Sequence, residues 1–252
     1  MKIQPVIICL LLAMMLTIAP NASFTQSPVG LSATVGAGLL LPQSSQLKGD
    51  IYSTYDYPLS KTGYNIDGKV RLNLPALPFA VIARLSYNSL SDEAVLPVAT
   101  INGIVNNKFT HSLSLFSVAL GIEYTLVTGR LLSPYVGVGV AFNSLSGKQT
   151  RENDIIPASH LNSATRFGID IGIGTMINVQ SFPVAFDVNG TFRLANLFGK
   201  QFGTSYGLAG FGGISQTSSY DLNDAANPAD PKDHSRSLNY FTVTLGISYR
   251  FL

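Results

Sequence analysis

The sequence predicts an all-β fold: one closed antiparallel transmembrane β-barrel of about eight strands, with short turns at one end and long loops at the other. Three observations carry that expectation. About eight segments alternate apolar and polar residues with a period of two over roughly ten residues, the length of a tilted membrane strand. Every charge inside those segments shares a face with Ser, Thr, Asn and Gly. The connections between them alternate long and short. An apolar outer face of this kind suits lipid, and lipid cannot satisfy an open sheet edge, so the sheet must close on itself.

Composition narrows the class. The chain has 252 residues, only 12 % of them charged, with 23 Gly and no Trp. After residue 20 no apolar run approaches the roughly 20 residues of a spanning helix. The formal charge is +2 and no block of Lys and Arg occurs, which argues against a nucleic-acid partner. Residues 1–22 read as a secretory signal: Lys2, an apolar stretch over 6–19, then small residues at Ala19, Ala22 and Ser23, with cleavage expected between 19 and 26. Cys9 lies in that segment, so the mature chain is expected to lack cysteine, disulfides and thiolate chemistry. The barrel is assigned to 28–252.

The strands follow in order. The first, GLSATVGAGLLLP, sets Leu31, Ala33, Val35, Ala37 and Leu39 against Ser32, Thr34, Gly36 and Gly38. The second, GYNIDGKVRLNLP, sets Tyr64, Ile66, Val70, Leu72 and Leu74 against Asn65, Asp67, Lys69, Arg71 and Asn73. FAVIARLSY places Arg84 and Ser86 opposite its apolar face, and FSVALGIEYTL does the same with Ser117, Gly121 and Glu123. PYVGVGVAFN alternates valine with Gly137 and Gly139. TRFGIDIGIGT puts Arg166, Gly168, Asp170 and Gly172 on one face, and PVAFDVNGTFRL puts Asp187, Asn189 and Arg193 there. The last, YFTVTLGISYRFL, sets Phe241, Val243, Leu245, Ile247, Tyr249 and Phe251 against Thr242, Thr244, Gly246, Ser248 and Arg250.

Long connections are expected near 42–62, 89–109, 145–163 and 196–237, and short ones at 75–78, 127–133 and 178–183. Pro75, Pro78, Pro134 and Pro183 fall at strand ends, where a missing N–H does little harm. With odd strands running outward, the apolar-face aromatics sort by height. Tyr64, Tyr87, Phe142, Phe167, Phe192 and Phe241 gather at the outer end, and Phe79, Tyr124, Phe186, Tyr249 and Phe251 at the inner end. Two aromatic belts around an aliphatic band are what the two bilayer interfaces select.

These residues resemble the small outer-membrane β-barrels of Gram-negative bacteria, of the OmpX and OmpA-transmembrane-domain type. The resemblance covers about 28–252. It rests most on the C-terminus, where Thr244, Gly246, Tyr249 and Phe251 match the family's insertion signal, with Leu252 following the usual terminal aromatic, and on LSPYVGVGVAFN. It implies outer-membrane lipid as surroundings and the barrel-assembly machinery as a partner during insertion. Two features known from such barrels are expected to be missing here, a C-terminal peptidoglycan-binding domain of the OmpA kind and an N-terminal plug of the kind found in large transporters.

Candidate chemistry is sparse. His111 and Ser114 could suggest a lipid-acting hydrolase, but their parity puts them on opposite faces. His160 and His234 read as loop residues. Asp221, Asp224, Asp230 and Asp233 cluster without the glycine and ligand order of a Ca²⁺ loop, so a mobile polar loop is expected. The glycines of 206–213 follow no buried strand and read as loop. Arg71, Arg84, Glu123, Arg166, Asp170, Asp187, Arg193 and Arg250 are expected to fill the lumen as ion pairs. Arg250 is expected to bridge to Asp187, and Arg71, Arg84 and Glu123 to share a depth. The expected function is a non-enzymatic scaffold displaying surface loops to an unspecified ligand, with no cofactor or metal. A lipid-modifying barrel enzyme and a narrow channel are the alternatives.

Overall fold

A computed structural model of the chain describes residues 30–43, 61–74, 77, 79–100, 103–127, 131–151, 159–179, 182–201, 219–220, 222, 224–226, 228, 235 and 237–251. The expected signal segment, 1–22, and the glycine-rich 206–213 lie outside them. Among the described residues are ten strands: β1 (Gly30–Pro42), β2 (Gly63–Asn73), β3 (Phe79–Thr100), β4 (Gly103–Thr125), β5 (Leu132–Arg151), β6 (Ser159–Leu161), β7 (Ala164–Asn178), β8 (Val184–Phe198), β9 (Ser219–Tyr220) and β10 (Asn239–Arg250). Eight of them, β1–β5, β7, β8 and β10, make the wall, each antiparallel to its neighbours. The wall closes where β1 pairs with β10, from Ser32 opposite Arg250 to Pro42 opposite Tyr240.

The period-two pattern determines which way each side chain points. Val35, Leu120 and Val140 are 60–70 % exposed on the outside. Lys69, Arg71, Glu123, Asp187 and Arg193 are nearly inaccessible within. The two aromatic belts form as pairs across neighbouring strands or along one. At the long-loop end the rings of Tyr64 and Tyr87 lie 6.1 Å apart, and those of Phe142 and Phe167 5.5 Å. At the short-turn end Phe79 and Tyr124 lie 5.2 Å apart, and Tyr249 and Phe251 5.0 Å.

The short connections fall where expected, closed by Leu74 N–H to Phe79 O (3.4 Å), Leu126 N–H to Pro134 O (2.9 Å) and Val179 N–H to Val184 O (3.1 Å). Two of the long ones do not. The segment 89–109, read as a loop, is a hairpin: β3 has 22 residues, β4 has 23, and they pair up to Thr100 opposite Gly103. Of 145–163, the first part continues β5, which has 20 residues, and the rest includes β6. Membrane thickness limits only the part of a strand that sits in lipid; beyond it, backbone pairing and cross-strand pairs such as Lys108 with Glu93 (3.1 Å) extend the sheet. Within 196–237, β8 runs to Phe198, and β9 lies parallel to β6.

Backbone approach explains one glycine directly. A Cβ on Gly38 would lie 1.9 Å from Val243 O across the closing seam, so no larger residue fits without moving β10.

Candidate functional site

Among the described residues, the alternation concentrates chemistry in the lumen. Toward the short-turn end, β2 supplies Lys69 and Arg71, β4 Glu123, β5 Tyr135 and β8 Asp187. Lys69 Nζ donates to Glu123 Oε1 at 3.0 Å and to Tyr135 Oη at 3.1 Å, and forms an ion pair with Asp187 Oδ2 at 2.8 Å. Tyr135 Oη donates to Asp187 Oδ1 at 2.5 Å. Arg71 donates to Glu123 Oε2 through Nε at 2.7 Å and through Nη2. The Tyr135 ring lies beneath both cations, 4.7 Å from Lys69 Nζ and 4.9 Å from the Arg71 guanidinium carbon. Gly174 makes room for that ring: a Cβ there would sit 2.5 Å from Tyr135 Oη.

The next layer is looser. Arg84 Nε stands 3.7 Å from Asp67 Oδ2, and Arg193 Nε 3.6 Å from Asp170 Oδ2, both beyond direct hydrogen-bond distance. Arg84 instead donates to Thr191 Oγ1 at 3.0 Å and Arg193 to Ser86 Oγ at 2.5 Å. A cavity of about 20 Å³, bordered by Arg84, Asp170, Asn189 and Thr191 and by Gly137, Gly139 and Gly172, lies here. It has room for about one water.

Above it the lumen turns apolar. Leu40, Leu90, Leu113, Leu115, Leu145, Leu161, Ala195, Leu238 and Tyr240 pack together in the long-loop half. One carboxylate enters from a loop: Asp224, 1 % exposed, accepts from Arg166 Nε and Nη2 (both 2.8 Å), Asn196 Nδ2 (2.9 Å) and the Gln201 N–H (3.0 Å).

Among the described residues five buried cations (Lys69, Arg71, Arg84, Arg166, Arg193) face five carboxylates (Asp67, Glu123, Asp170, Asp187, Asp224), and a sixth buried carboxylate, Asp92, pairs at 3.1 Å with the half-exposed Lys61. Seven of the eight charges expected inside are there. Arg71 meets Glu123, as their shared depth implies, but Arg84 lies opposite Lys69, one layer toward the long loops. Arg250 is the exception. Asp187 lies opposite Gly246, so Arg250 is displaced from it by four residues of β10, roughly 13 Å of strand. Arg250 stays exposed at the short-turn rim and donates to Asn178 Oδ1 at 3.2 Å. Its expected role beside Asp187 is taken by Lys69.

The alternation had already put Asp67 and Lys69 on the inner face, and Tyr135 shares parity with Gly137; these three carried a usable signal. Asp224 carried none, because its burial depends on where a long loop folds back. Asp221, Asp230, Asp233 and His234 lie outside the described residues. His111 is buried and lies opposite Asp92, while Ser114 faces outward with Oγ 3.0 Å from Tyr87 Oη. The two sit on opposite faces, as their parity implies. His160 is exposed on β6.

The C-terminal segment is part of the seam. Thr244 Oγ1 donates to Asn65 Oδ1 at 3.0 Å, Gly246 lies opposite Gly36, and Phe251 N–H donates to Leu31 O at 2.9 Å.

Residues 8–251 match the family of outer membrane protein beta-barrel domains. Among solved structures, a major outer membrane protein from Thermus thermophilus is 14 % identical, with 89 % of this chain and 100 % of that one covered and a TM-score of 0.49. Neisserial surface protein A is 12 % identical, covering 89 % and 98 %, with a TM-score of 0.47. The attachment invasion locus protein Ail of Yersinia pestis, solved with the heparin analogue sucrose octasulfate, is 13 % identical, covering 89 % and 100 %, with a TM-score of 0.41. No curated protein matches the chain.

Proposed function

The chain belongs to the outer membrane protein beta-barrel domain family, and from that premise we propose that it is a non-enzymatic scaffold in the outer membrane of a Gram-negative bacterium, presenting surface segments on a plugged barrel. One observation carries the reading: among the described residues the luminal charges are buried and paired with one another, and the cavity beside Arg84 and Asp170, about 20 Å³, has room for about one water. A conduit needs a continuous wet path, and an enzyme needs a cleft that admits its substrate. The separation of His111 and Ser114 onto opposite faces supports the same reading over a serine hydrolase. The surface on offer is the tall β3–β4–β5 wall with the long loops around it.

The signal segment 1–22 would direct export, and the barrel-assembly machinery would read the end of the chain, with Thr244, Gly246, Tyr249 and Phe251 as its recognition pattern. The test has two arms. Purified protein in a planar bilayer should give no steady current, and overexpression should leave the mass of the outer-leaflet lipid unchanged. A stable conductance promotes the channel; a lipid mass shift promotes the enzyme.

A further inference from the structure

The apolar cluster of the long-loop half runs the whole way round the lumen. It takes Leu40 from β1, Leu90 from β3, Leu115 from β4, Leu145 from β5, Ala195 from β8 and Tyr240 from β10, and Ala164 of β7 packs against it. Among the described residues β2 alone gives it no side chain. Gly63 stands there opposite Leu40, and Leu90 Cδ2 lies 3.0 Å from where its Cβ would be. The four leucines are at most 1 % exposed, so the ring is closed at its centre. One part of it comes from a loop. Leu222 packs against the cluster, and its carbonyl accepts from Arg166 Nη2 at 3.5 Å. Two residues further on, Asp224 fixes that segment to Arg166, Asn196 and the Gln201 N–H.

The layers beneath the ring are of another kind. Arg84 Nε and Asp170 Oδ2 are buried, make no hydrogen bond among the described residues, and belong to side chains that border the cavity with room for about one water. The pairs Arg84–Asp67 and Arg193–Asp170 stand at 3.7 and 3.6 Å. Such a layer can take up water and exchange partners, so an ion entering it meets charges that replace its hydration. The apolar ring offers no such replacement, and a charge in apolar surroundings carries a large desolvation cost. Apolar constrictions stop ions by expelling water. We propose that the leucine ring, and not the ion pairs beneath it, closes this barrel to ions, with Asp224 as the latch on its loop-borne part. The proposal deepens the plugged-scaffold reading and rests on it. A seal built this way is released at one side chain, with every wall strand left in place.

The test records the purified chain in a planar bilayer in potassium chloride, with the unheated gel band confirming that each variant folds. Wild type should be silent. Leu115→Asn combined with Leu145→Asn, opposite each other on β4 and β5, should give discrete current steps. Asp224→Asn should give briefer steps with the leucines intact. Leu145→Thr serves if the double variant does not fold. Asp67→Asn and Asp187→Asn, each of which breaks an ion-paired layer, should stay silent. Silence from the folded leucine variants overturns the proposal, as do steps from Asp67→Asn or Asp187→Asn. Silence from Asp224→Asn alone overturns the latch. A steady current in the wild type defeats the plugged-scaffold reading instead.

Discussion

Glu123 and Asp187 both neutralise the lower luminal layer, yet their loss should differ. Removing Asp187 takes one carboxylate from Lys69, which keeps Glu123 at 3.0 Å, and takes an acceptor from Tyr135. Removing Glu123 takes the one carboxylate that Arg71 touches among the described residues and one of the two beside Lys69. Breaking a buried pair costs roughly 3–5 kcal/mol because the partner charge is left uncompensated. Asp187→Ala should therefore fall near ~3 kcal/mol and Glu123→Ala near ~5 kcal/mol, a gap of about thirtyfold in the unfolding equilibrium. The chain has no Trp, so urea unfolding from vesicles is best followed by circular dichroism and by the unheated gel band. A cost for Asp187→Ala equal to or above that for Glu123→Ala refutes the assignment of partners. Costs below about 1 kcal/mol for both mean that water screens the layer, as it does for surface pairs.

The middle layer, with ion pairs at 3.6 and 3.7 Å, should be more tolerant: Asp67→Asn should cost about 1–2 kcal/mol less than Glu123→Ala in the same unfolding assay. Glycines should separate by the space around them. Gly172→Ala, whose new methyl would meet Thr191 Oγ1 at 3.4 Å, should keep wild-type stability, whereas Gly38→Ala should lose several kcal/mol or fail to give the folded band. Val138→Arg, on the lipid face, should cost about 2–4 kcal/mol at mid-bilayer, read by urea titration in vesicles. Asp224→Ala should release the last long loop, seen as faster protease cutting within 221–236 on whole cells while the barrel band persists.

Which face a residue occupies was legible because a strand has a fixed period, and one register step reverses it. That is why Arg71, Arg84, Glu123, Arg166, Asp170, Asp187 and Arg193 were all placed inside. Partnership across the lumen was much less legible. It depends on strand stagger, which no local pattern encodes, and the misplacement of Arg250 beside Asp187 comes from assuming too little of it. Counting from strand ends put the two level, whereas Asp187 lies opposite Gly246 and Arg250 sits beside the 178–183 turn. Strand length was misjudged for a different reason: the expected 9–11 residues describe the crossing of lipid, and β3, β4 and β5 go on pairing in water. Asp224 shows the remaining gap. The residues around it, Leu222, Asn223, Ala225 and Ala226, follow no period, and its burial comes from four donors in distant segments.

The seam between β1 and β10 ties the barrel's integrity to a single late strand. β10 supplies twelve residues, and without them β1 and β8 would each present a row of unpaired amides and carbonyls to hydrocarbon. Each such group costs several kcal/mol in lipid, so a chain truncated before Asn239 has no stable resting place in the bilayer. Insertion must then be nearly all-or-none. A chain without β10 is a product the membrane itself rejects, which is a form of quality control written into strand order.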